Sequence, residues 1–491
     1  MAPLEQLRVA ATAQPRRPRR VRPILMLGVL SLGGFAYAAL SSAVIPALPT
    51  LQHSLHTSES GSTWLLTAFL LSASVGTSII GRLGDIYGKE RLLLWTLVVL
   101  AAGTLLAGVS QSLAMLIVAR VIQGVAGGIF PLAFSIMRDE FPRDKVPGSI
   151  GLMSSVLGIG GGGGLVIGGL IAEHLSWHWL FWVPLVPMVA AAICTALFIP
   201  ESQVRSGGRV NWVSATLMST GMCCVLIAIA ETTAWGWGNA KTLSLLAAGL
   251  VICGFWIVAE IRSAHPLVDM SLMAARGVWA PNLAAFLLGS GMYAAFLLLP
   301  QFAQLPRQTG FGYGASVVVA GLYLVPCSVG MGLVGSFAGR VERRFSSRTA
   351  LVAGSAISAV GCGWLGLASR PADMLVASAL LGVGIGLAYA ALPNLIVQAV
   401  PSDQTGVASG MNTVLRTLGG AVGSQIAATL VVGHTAGLLP RLTGFTESFL
   451  LSGLLLLICV GAALAVPAPR APANAVIYKL NDRQEEAREV G

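Results

Sequence analysis

Gly81 to Arg91 read G-R-L-G-D-I-Y-G-K-E-R, a charged, glycine-rich string between two long apolar runs. The flanking runs, 65–80 and 92–109, are each about long enough to cross a bilayer. Asp85, Lys89 and Arg91 are therefore expected in a hairpin held tight against a membrane surface. Gly81, Gly84 and Gly88 are expected to let the backbone turn sharply and let two helix ends approach closely.

The composition outside this string agrees with a membrane solvent. The chain is 55% hydrophobic and 10% charged, where soluble domains carry about 25% charged residues. Its mean hydropathy is +0.79 over 491 residues. In lipid only helices or closed barrels satisfy their backbone groups. The apolar runs are about 18–25 residues long and do not alternate, which selects helices over barrel strands. The fold class is thus an all-α polytopic membrane protein.

Fourteen spans are read at about 24–46, 62–81, 92–110, 113–135, 147–172, 179–199, 213–231, 241–259, 279–302, 315–337, 350–368, 373–398, 406–432 and 446–466. Proline and glycine breakers separate most of them, including Pro142, Pro200, Pro266, Pro306 and Pro440. With the N-terminus placed in the cytoplasm, 24 of the 30 basic residues fall on inner segments and 4 on outer loops. That asymmetry predicts both termini in the cytoplasm. It also assigns the net charge of +10 to the inner leaflet, whose anionic lipids attract it, rather than to nucleic acid. The basic run Arg16, Arg17, Arg19, Arg20 and Arg22 reads as a topology anchor. The first span is longer than the apolar core of a cleaved signal peptide. All seven cysteines lie in apolar spans, so no disulfide framework is expected, and no Cys/His spacing suits a metal.

An internal repeat organises the chain. Adding 259 carries Gly127 to Gly386, Pro142 to Pro401, Asp144 to Asp403 and Gly151 to Gly410; it also carries Gly160, Gly161 and Gly164 to Gly419, Gly420 and Gly423. The opening string has a worn copy at an offset of 258, where Gly81-Arg82-Leu83 becomes Gly339-Arg340-Val341 and Asp85 becomes Arg343. A duplicated polytopic chain implies two pseudo-symmetric bundles around a central cavity. The expected units are a basic tail (1–23), an N-terminal six-helix bundle (24–200) and a linker with two additional spans (201–275). A C-terminal six-helix bundle (276–466) and a cytoplasmic tail (467–491) follow.

The opening string resembles the signature loop of the major facilitator superfamily, G-x-L-a-D-r-x-G-r-k-r, at Gly81, Leu83, Asp85, Gly88, Lys89 and Arg91. The 6+2+6 layout looks like its fourteen-span drug:proton antiporter branch. The pattern L-x-x-x-R-x-x-Q-G-x-x-G-G is matched by Leu116, Arg120, Gln123, Gly124, Gly127 and Gly128. The export-associated G-P-x-x-G-G reads Gly164-Leu165-Val166-Ile167-Gly168-Gly169, with leucine in place of the proline. Ser176 to Phe181 stand for that branch's S-W-R-W-I-F, and Gly410, Asn412, Arg416, Gly419 and Gly420 also look like the family.

The resemblance implies a major facilitator fold and a multi-pass carrier of the cell membrane. Such a carrier works by alternating access, most simply as a monomer, with the proton gradient rather than a cofactor as energy source. The expected cargo is an amphipathic or cationic-to-neutral small molecule, drugs and antibiotics included. Asp85 then reads as a latch at a cytoplasmic gate, with Arg91, Arg138 and the N-terminus of the eleventh span as partners; the plainer reading is a topology marker. Arg120 and Gln123 read as cavity or coupling residues, or Arg120 as a cation paired with backbone carbonyls. Arg416 and Asn412 read as cavity lining or as helix glue. Gly160, Gly164, Gly168 and Gly169 are expected to form a hinge-like contact between the halves.

One departure stands out. Leu40 occupies the place where the branch carries an acid in its first span, and none of the 20 acidic residues falls in the middle of a span. Glu173 and Glu231, at span ends, are the remaining candidates for a coupling acid. A lipid or lipid-conjugate exporter and an uptake permease of the same fold stay open as alternatives. A membrane-embedded enzyme lacks support, since no H-E-x-x-H, G-x-S-x-G or intraspan carboxylate pair is present, and no G-x-x-x-x-G-K-[ST] points to ATP.

Overall fold

The computed structural model describes residues 23–467 apart from 203, 205–209, 265, 369, 434 and 437–438. The basic tail up to residue 22 and the C-terminal tail from 468 lie outside the described residues. Fourteen helices among the described residues are long and apolar enough to cross a membrane. They are α1 (Pro23–Ala43), α2 (Gly61–Tyr87), α3 (Lys89–Gly108), α4 (Leu113–Glu140), α5 (Val146–His174), α6 (Trp179–Phe198) and α7 (Trp212–Ala230). The others are α8 (Ala240–Arg262), α9 (Arg276–Gln304), α10 (Val318–Phe345), α11 (Ser347–Leu367), α12 (Pro371–Ala399), α13 (Ser402–Gly433) and α14 (Leu442–Ala465).

The opening string is helical, not a hairpin loop. α2 continues to Tyr87 and α3 begins at Lys89, so Gly88 alone makes the break, at φ 115°. Gly81 and Gly84 are not turn residues; they lie within the helix. At the matching place in the repeat, Ser346 joins α10 to α11 with φ 89°. A side chain at that positive φ with an extended ψ of 153° costs about 1–3 kcal/mol. The Ser346 hydroxyl offsets part of this by accepting from the Thr349 N–H. The same cap chemistry starts α4 (Ser112 accepting from Met115 N–H) and α7 (Asn211 accepting from Ser214 N–H).

Two separate apolar cores form, one drawn chiefly from residues 26–199 and the other from 280–466. Within the first half, α1 packs on α5 and α6, α2 on α4, and α3 on α4 and α6. In the second half, α9 packs on α13 and α14, α10 on α12, and α11 on α12 and α14. The bundles meet along two seams, α2 against α13 and α5 against α10 and α12. The inserted α7 leans on α2 and α13 beside the first seam, while α8 packs chiefly on α7.

Glycines set the spacing. Gly160, Gly164 and Gly168 face the α1 backbone at Phe35, Ala39 and Ala43, inside their own bundle rather than across to the other half. The cross-bundle contacts come instead from Gly158 against Met331 and Gly162 against Ser328, and Gly169 lies near Val318. In the second half Gly419 and Gly423 face Phe286 and Ser290 of α9 in the same way, so the repeat preserves its packing.

Candidate functional site: an interbundle gate and a buried cationic layer

Asp85 sits in the last turn of α2 with no exposed surface. Its Oδ1 accepts the Gly406 N–H at 3.2 Å and its Oδ2 the Val407 N–H at 3.0 Å. These amides belong to the first turn of α13, where four N–H groups lack helical partners and the dipole favours an anion. The cap therefore joins α2 to the thirteenth span, not to the eleventh. Neither expected arginine hydrogen-bonds the carboxylate, although Arg138 lies within electrostatic range of it. Arg91 is exposed and pairs with Glu201 at 2.7 Å. Arg138 of α4 donates to the Val400 and Pro401 carbonyls and to Thr405 Oγ1. It thus braces the same α12–α13 corner from the other side.

Lys89 is fully buried beneath this cap. Its Nζ lies 2.6 Å from Asp139 Oδ2 and 4.0 Å from Asp85 Oδ1, and it donates to the Ser402 carbonyl. Asp139 also accepts from Ser202 Oγ, whose own N–H donates to Glu90. Asp139 and Ser202 were not legible as site residues from the string alone. Gly81 and Gly84 make room for the assembly, the first against the Gly406 backbone and the second against the Leu132 side chain.

The second seam is closed differently. Glu342, at the end of α10, accepts from Ser347 Oγ and Asn394 Nδ2, and the same amide donates to the Pro147 carbonyl of α5. The second copy has therefore lost the acid at 343 but holds another one residue earlier. Proline 147 stands where the repeat places Gly406, and proline has no N–H to offer a capping carboxylate.

A cationic and aromatic layer lies deeper. Arg120 of α4 is fully buried; its Nε donates to the Leu65 carbonyl, one Nη to Gln123 Oε1, and its face stacks on Phe69 at 4.1 Å. Gln123 is anchored in turn on Thr104 Oγ1. The other Nη of Arg120 is buried without a hydrogen-bond partner. Arg416 of α13 stacks on Tyr389 at 4.3 Å, and among the described residues its guanidinium has no hydrogen-bond acceptor and no carboxylate within ion-pair distance. Tyr37 of α1, in contact with Phe69 and Phe130, is within electrostatic range of both Arg120 and Tyr293. Tyr293 of α9 meets the Tyr389 hydroxyl. The layer is thus continuous from one bundle to the other.

The other sequence candidates fall elsewhere. Asn412 donates to the Pro281 carbonyl and Asn282 Oδ1, which makes it a tie between α13 and α9. Glu173 is exposed near the end of α5, Glu231 follows α7 at its end, and neither forms an ion pair with Arg120. The tyrosines were missed because an aromatic in an apolar run carries no pattern of its own. The repeat offset held a signal, since 259 carries Tyr37 to Phe296 and Phe130 to Tyr389.

A family model described as Major Facilitator Superfamily matches residues 30–424. The chain belongs to the major facilitator superfamily. The tetracenomycin C resistance and export protein of Streptomyces glaucescens is 27% identical over 432 residues, covering 87% of this chain and 79% of its own length. The multidrug export protein EmrB of Escherichia coli K12 is 27% identical over 415 residues, covering 83% and 80%. Multidrug resistance protein 3 of Bacillus subtilis 168 is 26% identical over 375 residues, covering 75% and 72%. Among solved structures, the human organic anion transporter MFSD10 superposes with a TM-score of 0.66 at 16% identity, over 90% of this chain and 99% of its own. The proton:xylose symporter XylE gives 0.65 at 14% identity, over 91% and 96%. These two likenesses carry the fold alone. As a major facilitator the chain is a multi-pass membrane carrier of small molecules, not an enzyme. Its signature string is the capped seam between α2 and α13.

Proposed function

We propose that this major facilitator chain exports amphipathic small molecules by alternating access, driven by the proton gradient and working as a monomer. The observation that carries the reading is the Asp85 cap on α13. Two bundles are held shut at one face by hydrogen bonds and glycine contacts, with a polar layer buried behind them. Charge-assisted bonds to a carboxylate contribute about 1.5–3 kcal/mol each, strong enough to hold a state and weak enough to release it. By the distribution of basic residues this face is the cytoplasmic one, so the arrangement is that of a carrier closed towards the cytoplasm. Each chain holds both bundles, which is all the rocking motion requires.

The names of the relatives support export of drug-like cargo. A proton moving down 100 mV supplies about 2.3 kcal/mol, roughly a fifty-fold gradient of exported solute. Efflux of cationic ethidium and of anionic amphipathic antibiotics from cells expressing the chain, with and without a protonophore, tests the reading. Efflux that the protonophore abolishes supports it. Efflux unchanged by the protonophore removes the proton gradient as driver, and accumulation in place of efflux favours an uptake permease.

A further inference from the structure

We infer that the central layer is a binding site for an organic anion: an aromatic, amphipathic molecule bearing a carboxylate, sulfonate or phenolate, clamped between Arg416 and Arg120. This rests on the transporter reading above and specifies its substrate class.

The charge balance is the first argument. Two guanidinium groups are buried in the interior of the spans, one per bundle. Arg416 lies 14 residues into α13, or about 21 Å at 1.5 Å per residue. Among the described residues the acids on the spans lie near helix ends, Asp85, Asp139, Glu342 and Asp403 on the gated face, Asp373 in the first turn of α12 and Glu447 in the second turn of α14 on the other. A buried cation without a counter-charge carries a desolvation cost that an ionic partner removes. A cationic solute, which the sequence alone left open, would meet two fixed positive charges and no carboxylate.

Geometry is the second argument. Stacking on Tyr389 engages the face of the Arg416 guanidinium and leaves its N–H edge without a protein acceptor. Arg120 is held by Leu65, Gln123 and Phe69, with one terminal nitrogen buried and unpartnered. The planar fork of Arg416, pinned by an aromatic face, suits bidentate capture of an oxyanion, and Arg120 adds a single further donor through its unpartnered nitrogen. Tyr37, Tyr293 and Tyr389 supply ring surface and hydroxyls between the two arginines, as an aromatic anion needs.

The test uses two dyes of one xanthene shape, anionic fluorescein and cationic rhodamine 123. Equilibrium binding to the purified full chain is measured by fluorescence anisotropy, with displacement by unlabelled dye to isolate the saturable component. Fluorescein is expected to bind at least tenfold more tightly than rhodamine 123. Arg416→Gln should weaken fluorescein at least tenfold, and Arg416→Glu should turn the preference towards rhodamine 123. Arg120→Gln provides the same comparison at the other arginine, each variant being used only if it elutes as a monodisperse peak. Equal or tighter binding of rhodamine 123 by the unaltered chain, or saturable binding of neither dye, overturns the inference. Dye movement in inside-out vesicles is scored separately. Fluorescein bound but not transported would count against the export reading and leave the anion site standing.

Discussion

Gly81 and Gly406 face each other backbone to backbone across the first seam. A Cβ on either would lie 2.5 Å from the carbonyl oxygen of the other. No side-chain movement relieves a clash with a main-chain oxygen, so α2 and α13 would have to part. Gly81→Val should therefore insert normally and lose nearly all transport. A cysteine introduced beside the seam should become reactive from the gated face. Retained transport at equal expression would mean that the seam closes less tightly than this contact requires.

Asp85→Asn keeps one carbonyl oxygen but loses the charge that strengthens both bonds to α13. A loss of about 1.5–3 kcal/mol would shift the closed–open balance by roughly ten- to hundredfold. Transport should fall while the melting temperature of the purified protein moves little, because the cap joins bundles rather than building either core. A mutant with full transport and unaltered cysteine accessibility would reduce Asp85 to a local helix feature.

Lys89 and Asp139 make a different prediction, since both are buried and belong to the same bundle. Lys89→Met strands a buried carboxylate, and breaking such pairs costs about 3–5 kcal/mol. The melting temperature should drop clearly. Lys89→Met combined with Asp139→Leu should recover much of it, because neither charge is then left alone. A double variant as unstable as the single one would shift the cause to lost packing around Ser402.

Orientation is checked with single cysteines in a background lacking the native seven. A cysteine at Gly238, between α7 and α8, should react with an impermeant reagent added outside, and one at Asp144, between α4 and α5, should not. The reverse pattern would place the gated face outside the cell.

The string at 81–91 was legible as a junction between two spans, and the 259-residue offset as a two-bundle plan. Helix continuity through Asp85 was not legible, because glycine and aspartate read as breakers until neighbouring helices hold them. For the same reason the sequence pairs Asp85 with Arg91, Arg138 and the N-terminus of the eleventh span instead of the thirteenth. Which N-terminus it caps is decided by how one bundle lies on the other, a property no local pattern contains. Arg120 was found through the cost of a charge among apolar residues, and the same rule found Arg416. Their aromatic partners stayed hidden, since Tyr37 and Tyr389 are apolar enough to pass as ordinary core.

Pro147 gives the two seams unequal characters. Where α13 offers N–H groups to Asp85, the first turn of α5 holds Pro147, which has none to give, and Asn394 touches only its carbonyl oxygen. One edge of the molecule is thus fastened by charge and the other rests on the fit of Gly148 and Gly151 against Gly339 and Gly335. On the export reading proposed above, such a body would swing as a door does, unclasping along α2 and α13 and pivoting along α5 and α10. The two seams that the repeat relates would then serve as a lock and a hinge.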